Sequence, residues 1–304
     1  MKDQLSNRIN SLPVSETLAM AAKARELKEQ GKNIISLSLG EPDFNTPDFI
    51  KEAAIQAIHD NYSTYSPVDG YLDLKQAICR KFKRDNNLDY KPTQIVVSTG
   101  AKQSIANIAM VLLNPGDEVL LPAPYWVSYS AIATLAEATY KEIPSTIDTD
   151  FKITPQQLEA AITPKTKAVM LVHMCGQMAQ MDEIMQVIKE HNIVLIEDAG
   201  QAMAASFKGI STGLYGKTGC YSFDFFKIAT AGEGGVFVTN DEAAYKLADS
   251  YADHGHDHQG NNRGMENHPI VGFNYRISEL HAAVGLAQTR RVPMIREINN
   301  KHKK

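Results

Sequence analysis

The sequence predicts an α/β fold, a three-layer α/β/α sandwich built on a mostly parallel β-sheet. Short β-rich apolar runs recur along the chain, and helical patterns such as AKQSIANIAMVLL and MDEIMQVIKEH lie between several of them. The β-rich runs are IISLSL, QIVVSTG, EVLLPAP, AVMLVH, NIVLIED, CYSFDF and GGVFVTN. Because ligands bind beyond the carboxyl ends of parallel strands, the residues that follow these runs are the candidate functional residues.

Composition and charge exclude several classes of protein. The chain has 304 residues, of which 43% are hydrophobic, which is enough for a large core and for more than one domain. A formal net charge of -4 without a basic patch does not favour nucleic-acid binding. Apolar stretches long enough to span a membrane and a signal-peptide core are both absent, so a cytoplasmic location is expected. Three scattered cysteines indicate reduced thiols.

Lys227 is the first candidate for chemistry. It lies in SFDFFKIATAGEGG, after an apolar strand and before a glycine-rich turn. A partly desolvated lysine amine can attack an aldehyde, and the glycines allow the backbone to approach a ligand closely. Taken alone, the same pattern also fits a surface lysine beside a hairpin turn.

Asp198 ends the hydrophobic run VLIED, where a carboxylate is well placed to meet a ligand. Its alternative role is that of a helix N-cap. A helix is predicted to start near Ala101, after Gly100. The free backbone N–H groups of Gly100, Ala101 and Lys102 would form an anion site at its N-terminus. Trp126 follows another strand and is able to stack on a flat ligand, although a lone tryptophan also fits simple core packing.

These four features supply an amine, a partner for a ring nitrogen, a phosphate cradle and a stacking face. Together they match the needs of pyridoxal 5'-phosphate, with Lys227 as the Schiff-base lysine. In that interpretation Asp198 keeps the pyridine nitrogen protonated, which strengthens the ring as an electron sink.

Two family resemblances accompany these motifs. Residues 15–170 resemble class I aminotransferases of the aspartate aminotransferase type, through SLGEPDFNTP, TYSPVDGYLDLKQAI, STGAKQS and NPGDEVLLPAPYWVSY. Residues 168–304 resemble the DegT/DnrJ/EryC1/StrS sugar aminotransferases, through VHMCGQMAQMDEI, IEDAGQA, SFDFFKIATAGEGGVFVTND and GFNYRISELHAAVGLAQ. Both imply the pyridoxal-enzyme fold of type I. The junction falls at Lys165–Val169, which suggests a chimera, with a divergent member of one branch as the alternative.

The resemblance implies a role for each matching residue. Lys227 would carry the cofactor and shuttle the proton, while Asp198 would pair with the pyridine nitrogen. The other cofactor contacts implied are Gln201 at the ring, Ser222 at the phosphate, Gly100, Ala101 and Lys102 at the helix start, and Trp126 stacked on the ring. Asn274 and Tyr65 are implied to reach a cofactor across a homodimer interface, and Gly40 to lie over the substrate carboxylate.

The resemblance also implies a domain plan. Residues 1–40 would form an N-terminal arm and small-domain segment, residues 41–285 the cofactor-binding large domain, and residues 286–304 the start of a C-terminal domain that is largely missing. The polar segment 254–268 is predicted to be a surface loop. Its histidines at 254, 256 and 258 have metal-ligand spacing, but a similar stretch in the sugar branch has no metal role, so no metal is predicted.

The expected activity is transamination from an amino acid, glutamate in particular, to a keto sugar or keto sugar acid. The alternative acceptor is a 2-oxo acid, as in aspartate aminotransferase. Lys227 disfavours a dehydratase, because dehydrating members of the sugar branch have histidine at that position. A hypothesis of another class is a non-catalytic truncated fusion product.

Overall fold

The computed structural model describes residues 10, 12, 16–35, 45–62, 66–224, 227–259 and 267–302. It contains a seven-stranded sheet between two layers of helices, which confirms the predicted fold class. The helices are α1 (Glu16–Glu29), α2 (Asp48–His59), α3 (Leu72–Asn86), α4 (Ala101–Leu112), α5 (Ser128–Leu135), α6 (Pro155–Ala161), α7 (Met181–Glu190), α8 (Glu242–Ala252) and α9 (Glu279–His302). The strands are β1 (Ile95–Ser98), β2 (Glu118–Pro122), β3 (Thr139–Ile143), β4 (Thr166–Val172), β5 (Val194–Asp198), β6 (Ser206–Phe207), β7 (Ile210–Ser211), β8 (Thr218–Ser222) and β9 (Gly235–Thr239).

The large sheet has the strand order β1-β9-β8-β5-β4-β2-β3. Only β9 runs against its neighbours among these strands, so β1, β2, β4, β5 and β8 all end at the same edge. The strands β6 and β7 form a separate small hairpin. Apart from IISLSL, which lies mostly outside the described residues, the predicted runs contribute to the strands of the large sheet.

Alternating residues of each strand pack on opposite faces of the sheet, which is the pattern that a sheet covered on both sides requires. Val97 and Tyr221 contact the layer of α3 and α9, while Val96 and Cys220 contact that of α4, α5 and α8. At the other end of the sheet, residues of β2, β4 and β5 pack against α6 and α7.

The proposed junction at Lys165–Val169 lies at the start of β4, between β2 and β5. Segments from before and after it share one core. The edge strand β1 pairs with β9, and the rings of Phe82 and Tyr221 lie 5.5 Å apart between centroids. The Ser66 hydroxyl donates to the Ile277 carbonyl oxygen at 2.8 Å. The two segments are therefore interleaved parts of one folded unit.

The segment 254–268 is irregular where the structure describes it, as predicted for a loop. The His258 Nε2 atom lies 3.6 Å from an Asp249 carboxylate oxygen, and the His256 and His268 rings are 4.1 Å apart. Within the described part of the chain, no cluster of histidine, cysteine, aspartate and glutamate has a metal-binding arrangement. Nor is any described helix both long and apolar enough to cross a bilayer.

Candidate active site

The candidate site lies along the edge where six strands of the large sheet end. Ser98 ends β1, Asp198 ends β5 and Ser222 ends β8. Trp126 follows β2, and Lys227 follows β8 after a short turn. The strand order therefore places these positions at one edge of the sheet, and their functional roles stay predictions.

Asp198 is held by two donors, one on each carboxylate oxygen. The Gly200 N–H donates to Oδ1 at 2.7 Å, and the Tyr129 hydroxyl donates to Oδ2. Burial raises the pKa of Asp198, while the Gly200 N–H and the positive charge of Lys227 act to lower it. Asp198 is not a helix N-cap. It accepts the Gly200 N–H within a turn, and no described helix starts there.

Lys227 is half-buried and lies in a turn that is held by backbone hydrogen bonds between its own residues. Its N–H donates to the Asp224 carbonyl oxygen at 3.0 Å, and the Ala231 N–H donates to that of Phe223 at 2.7 Å. Asp224 also forms an isolated bridge with Gly232. The turn thus returns the chain to β9 and leaves the lysine near enough to Asp198 for their charges to interact.

The backbone at the start of α4 lies close to Gly234 and Gly235. Gly100 is the N-cap of α4 and bridges Gly234, while a Cβ atom on Gly235 would lie 2.2 Å from the Gly100 carbonyl carbon. A Cβ atom on Gly200 would lie 3.5 Å from that of Ser222 and 3.7 Å from that of Ala101. The helix N-terminus, the Ser222 side chain and the Gly200 turn therefore surround one small space.

We expect Gly235→Ala to lower stability and to weaken anion binding at the α4 N-terminus, because its Cβ would overlap the Gly100 carbonyl group. The expected loss in the free energy of unfolding is about 1–3 kcal/mol. Denaturant unfolding and phosphate titration measure the two effects. Gly285→Ala is the matched control, since its Cβ meets only ordinary contacts beginning at 3.5 Å. Equal stability of the two variants would contradict this account of Gly235.

Trp126 lies beside this space, half-buried and held by the turn that starts α5. The Lys102 ammonium nitrogen lies 5.2 Å from the centroid of its ring, at cation–π distance. The indole Nε1 atom is buried and has no hydrogen-bond partner among the described residues. The ring also packs against the hydrophobic core that includes residues of β2. Part of the Trp126 side chain therefore has the core-packing role that the sequence also allowed.

Gln201 follows the Gly200 turn and is tied to the end of β4. Its Oε1 atom accepts the Cys175 N–H at 3.3 Å and lies 3.6 Å from the Cys175 sulfur. With the carbonyl oxygen engaged there, the amide nitrogen is the end of the side chain that remains to meet a ligand as a donor.

A fully buried pair, His173 and Glu197, supports the same strand ends and was missed in the sequence. Glu197 accepts from the His173 ring at 2.8 Å. It also accepts from the backbone N–H groups of Gly213, Tyr215 and Gly216, at 2.9, 2.6 and 2.7 Å. The pair thus ties the ends of β4 and β5 to the loop before β8. The only sequence signals for it were an acidic residue before Asp198 and a histidine after an apolar run.

One predicted residue, Asn274, is not brought to this site. Asn274 is exposed, and its Oδ1 atom accepts from Arg276 Nε at 3.0 Å. Its role across a dimer interface stays a prediction. Tyr65 and Gly40 lie outside the described residues.

A parallel sheet with a lysine, an aspartate, a helix N-terminus and a tryptophan at its carboxyl edge defines the class of pyridoxal 5'-phosphate-dependent proteins of fold type I. The model of the DegT/DnrJ/EryC1/StrS aminotransferase family matches residues 89–304. This chain belongs to that family. The match begins upstream of residue 168 and so overlaps the segment that carries the class I motifs, as expected if the two branches share one fold.

The curated relatives point to the class I branch. The chain is 45% identical to the aspartate aminotransferase of Bacillus sp. (strain YM-2) over 204 residues, covering 65% of this chain and 52% of the relative. It is 52% identical to the aspartate/prephenate aminotransferase of Nitrosomonas europaea over 164 residues, covering 54% of this chain and 41% of the relative. The chain thus spans about half the length of these relatives.

Solved structures show the same fold. The aspartate aminotransferase of Rhizobium meliloti superposes with a TM-score of 0.76 at 28% identity, covering 98% of this chain and 74% of that chain. Sequence and structure comparisons together confirm the mixed resemblance, with motifs of both aminotransferase branches in one fold.

Proposed function

We propose that this protein is a pyridoxal 5'-phosphate-dependent aminotransferase that exchanges an amino group between an amino acid and a 2-oxo acid. The observation that carries the proposal is the placement of Lys227 and Asp198. One amine and one buried carboxylate lie at the same sheet edge, close enough for their charges to interact. Family membership supports the class of reaction, and the names of the curated relatives favour the 2-oxo acid over the keto sugar expected from the sequence.

The donor set fits the cofactor. The N-terminus of α4 and the Ser222 hydroxyl offer N–H and O–H donors to a phosphate, and a Cβ on Gly200 would lie within 4 Å of the side chains of Ser222 and Ala101. Trp126 offers a ring face, and Asp198 offers an anionic oxygen to a protonated ring nitrogen. Gln201 has its amide nitrogen for a ring oxygen.

The cofactor, when bound, supplies an aldehyde for amines and a ring that takes up the electron pair of a broken C–H bond. The Lys227 amine would hold the cofactor covalently, and the same amine would move the proton at the substrate Cα atom. Asp198 keeps the ring nitrogen protonated through its negative charge. We expect a homodimer, in which the exposed Asn274 faces the neighbouring subunit.

Lys102 supports a substrate with a second carboxylate. Its side chain is exposed and lies over the Trp126 ring, in the first turn of α4. A cation in this position would attract the distal carboxylate of aspartate, glutamate or their 2-oxo acids. A neutral keto sugar would gain nothing from it.

We therefore expect Lys102→Ser to lower kcat/KM for aspartate about 10- to 100-fold, the effect of one hydrogen bond to a charged group. The kcat/KM for alanine should change little. Steady-state assays with 2-oxoglutarate as acceptor measure both values. Lys165→Ser is the matched control, because this exposed lysine precedes β4 at the opposite edge of the sheet.

Amino transfer from glutamate to a keto sugar, with no transfer from aspartate to 2-oxoglutarate, would overturn the proposed acceptor while leaving the aminotransferase assignment in place. Equal losses for aspartate and alanine in Lys102→Ser would remove the argument for a distal carboxylate.

A further inference from the structure

Tyr129 is the one aromatic hydroxyl that the described structure places on Asp198. Its ring is 1% exposed, and its hydroxyl donates to Asp198 Oδ2 while Gly200 occupies Oδ1. Neither the family motifs nor the strand-end pattern assigned this residue a role. It stands before the junction at Lys165–Val169, whereas Asp198 stands after it, so the contact exists only because both segments fold together.

The position of Tyr129 is fixed by its surroundings. Its N–H donates to the Trp126 carbonyl oxygen at 3.0 Å in the first turn of α5. Its ring stacks on that of Tyr125 at 6.3 Å between centroids and packs within the core that includes Ile132 and Ile196. A side chain packed in this way loses little further conformational entropy when it donates a hydrogen bond.

We propose that Tyr129 is a positioning residue, whose hydroxyl keeps the Asp198 carboxylate ionised and turned toward the cofactor ring nitrogen. This inference rests on the proposed function, in which that nitrogen meets Asp198. Each carboxylate oxygen offers two acceptor directions, so one donor on each leaves a direction free for a ring N–H.

A donor on the second oxygen would oppose the effect of burial. Burial disfavours the charged carboxylate and raises the pKa of Asp198, while the Gly200 N–H and the Lys227 charge act to lower it. A hydroxyl that donates to the charged form stabilises it, because the protonated acid is a weaker acceptor. Removing the hydroxyl should therefore raise the pKa of Asp198 further and leave one of its oxygens without a partner.

The test compares Tyr129→Phe with Tyr125→Phe. Both replace a tyrosine of the stacked pair, but the Tyr125 hydroxyl donates to Glu142 at 2.5 Å and does not contact Asp198. Aspartate 13C NMR of the cofactor-free full chain, assigned with Asp198→Asn, follows the titration of Asp198. We expect Tyr129→Phe to move its midpoint up by about one pH unit, the effect of one hydrogen bond to a charge, and Tyr125→Phe to leave it in place.

The loaded protein gives a second readout. With 15N-labelled pyridoxal phosphate, the ring nitrogen should stay protonated up to a higher pH in wild type than in Tyr129→Phe. Tyr129→Phe should also lower kcat about tenfold with KM nearly unchanged, and it should have no effect when Asp198 is already asparagine.

The outcomes separate the two proposals. A wild-type chain that takes up no cofactor contradicts the proposed function, and this inference with it. A wild type that binds cofactor, with an Asp198 midpoint unchanged in Tyr129→Phe, overturns the role of Tyr129 alone. If Tyr129→Phe does not fold, the 13Cζ resonance of Tyr129 in wild type decides, since it should titrate with Asp198 and stop doing so in Asp198→Asn.

Discussion

Replacing Lys227 by alanine is expected to abolish cofactor attachment and to lower kcat by about 10⁴-fold or more, since one group supplies both the nucleophile and the proton shuttle. The fold should survive, because Lys227 is only half-buried and lies in a turn. Visible absorbance on addition of pyridoxal 5'-phosphate measures attachment, and steady-state transamination measures kcat.

The matched control for Lys227 is Lys217→Ala. Lys217 precedes β8 at the opposite edge of the sheet, where its ammonium pairs with Asp241 at 2.7 Å. The Lys217→Ala variant should keep the wild-type visible absorbance and the wild-type kcat. A Lys227→Ala protein that still develops the full visible band would show that another lysine carries the cofactor.

Asp198→Asn is the second large effect that the site predicts. Asparagine keeps the shape of the side chain and an oxygen for the Gly200 N–H, but it removes the negative charge that a protonated ring nitrogen needs. Loss of a preorganised electrostatic group of this kind lowers kcat by about 10² to 10³-fold. Attachment through Lys227 should persist, so the visible band remains while turnover falls.

The pH dependence should follow the same carboxylate. Because burial raises the pKa of Asp198, the charged form is lost at a higher pH than for an ordinary aspartate as the solution is acidified. In the cofactor-free chain the titration midpoint of Asp198 should therefore lie above the usual aspartate range, and this titration should be absent in Asp198→Asn. Asp182→Asn, at an exposed salt bridge with Lys208, is the control and should keep the wild-type titration. A wild-type rate in Asp198→Asn would exclude a ring-nitrogen role for Asp198.

The parts of the site that could be predicted from sequence are those that strand ends determine. Asp198, Trp126 and Lys227 each follow an apolar run, and parallel strands bring such positions to one edge whatever the loops do. The helix start at Gly100 was predictable for the same reason, since a strand, a short turn and a helical pattern follow one another there.

Other parts depend on distances that no local pattern encodes. Tyr129 reaches Asp198 across 69 positions of the chain, and His173 reaches Glu197 across 24. Both are single side chains on otherwise ordinary elements, so only the packing of α5 and β4 against β5 reveals them. The close approach of Gly235 to Gly100 is likewise a property of the β1–β9 pairing, which joins residues far apart in sequence.

The sequence indicates the cofactor more clearly than it indicates the amino acceptor, and the reason is physical. The lysine and aspartate motifs belong to cofactor chemistry that both aminotransferase branches share. In the function proposed above, substrate choice depends instead on groups such as Lys102, whose position over Trp126 becomes visible only in the folded chain.

The most direct test of the central claim is to reduce the loaded protein with borohydride and to map the modified lysine by peptide mass spectrometry. Reduction converts the bond between cofactor and lysine into a stable amine, so the modified peptide identifies the residue. We expect the pyridoxyl group on Lys227, in the peptide that contains Ser222 and Asp224. A pyridoxyl group on another lysine, or on none, would contradict the account of this site.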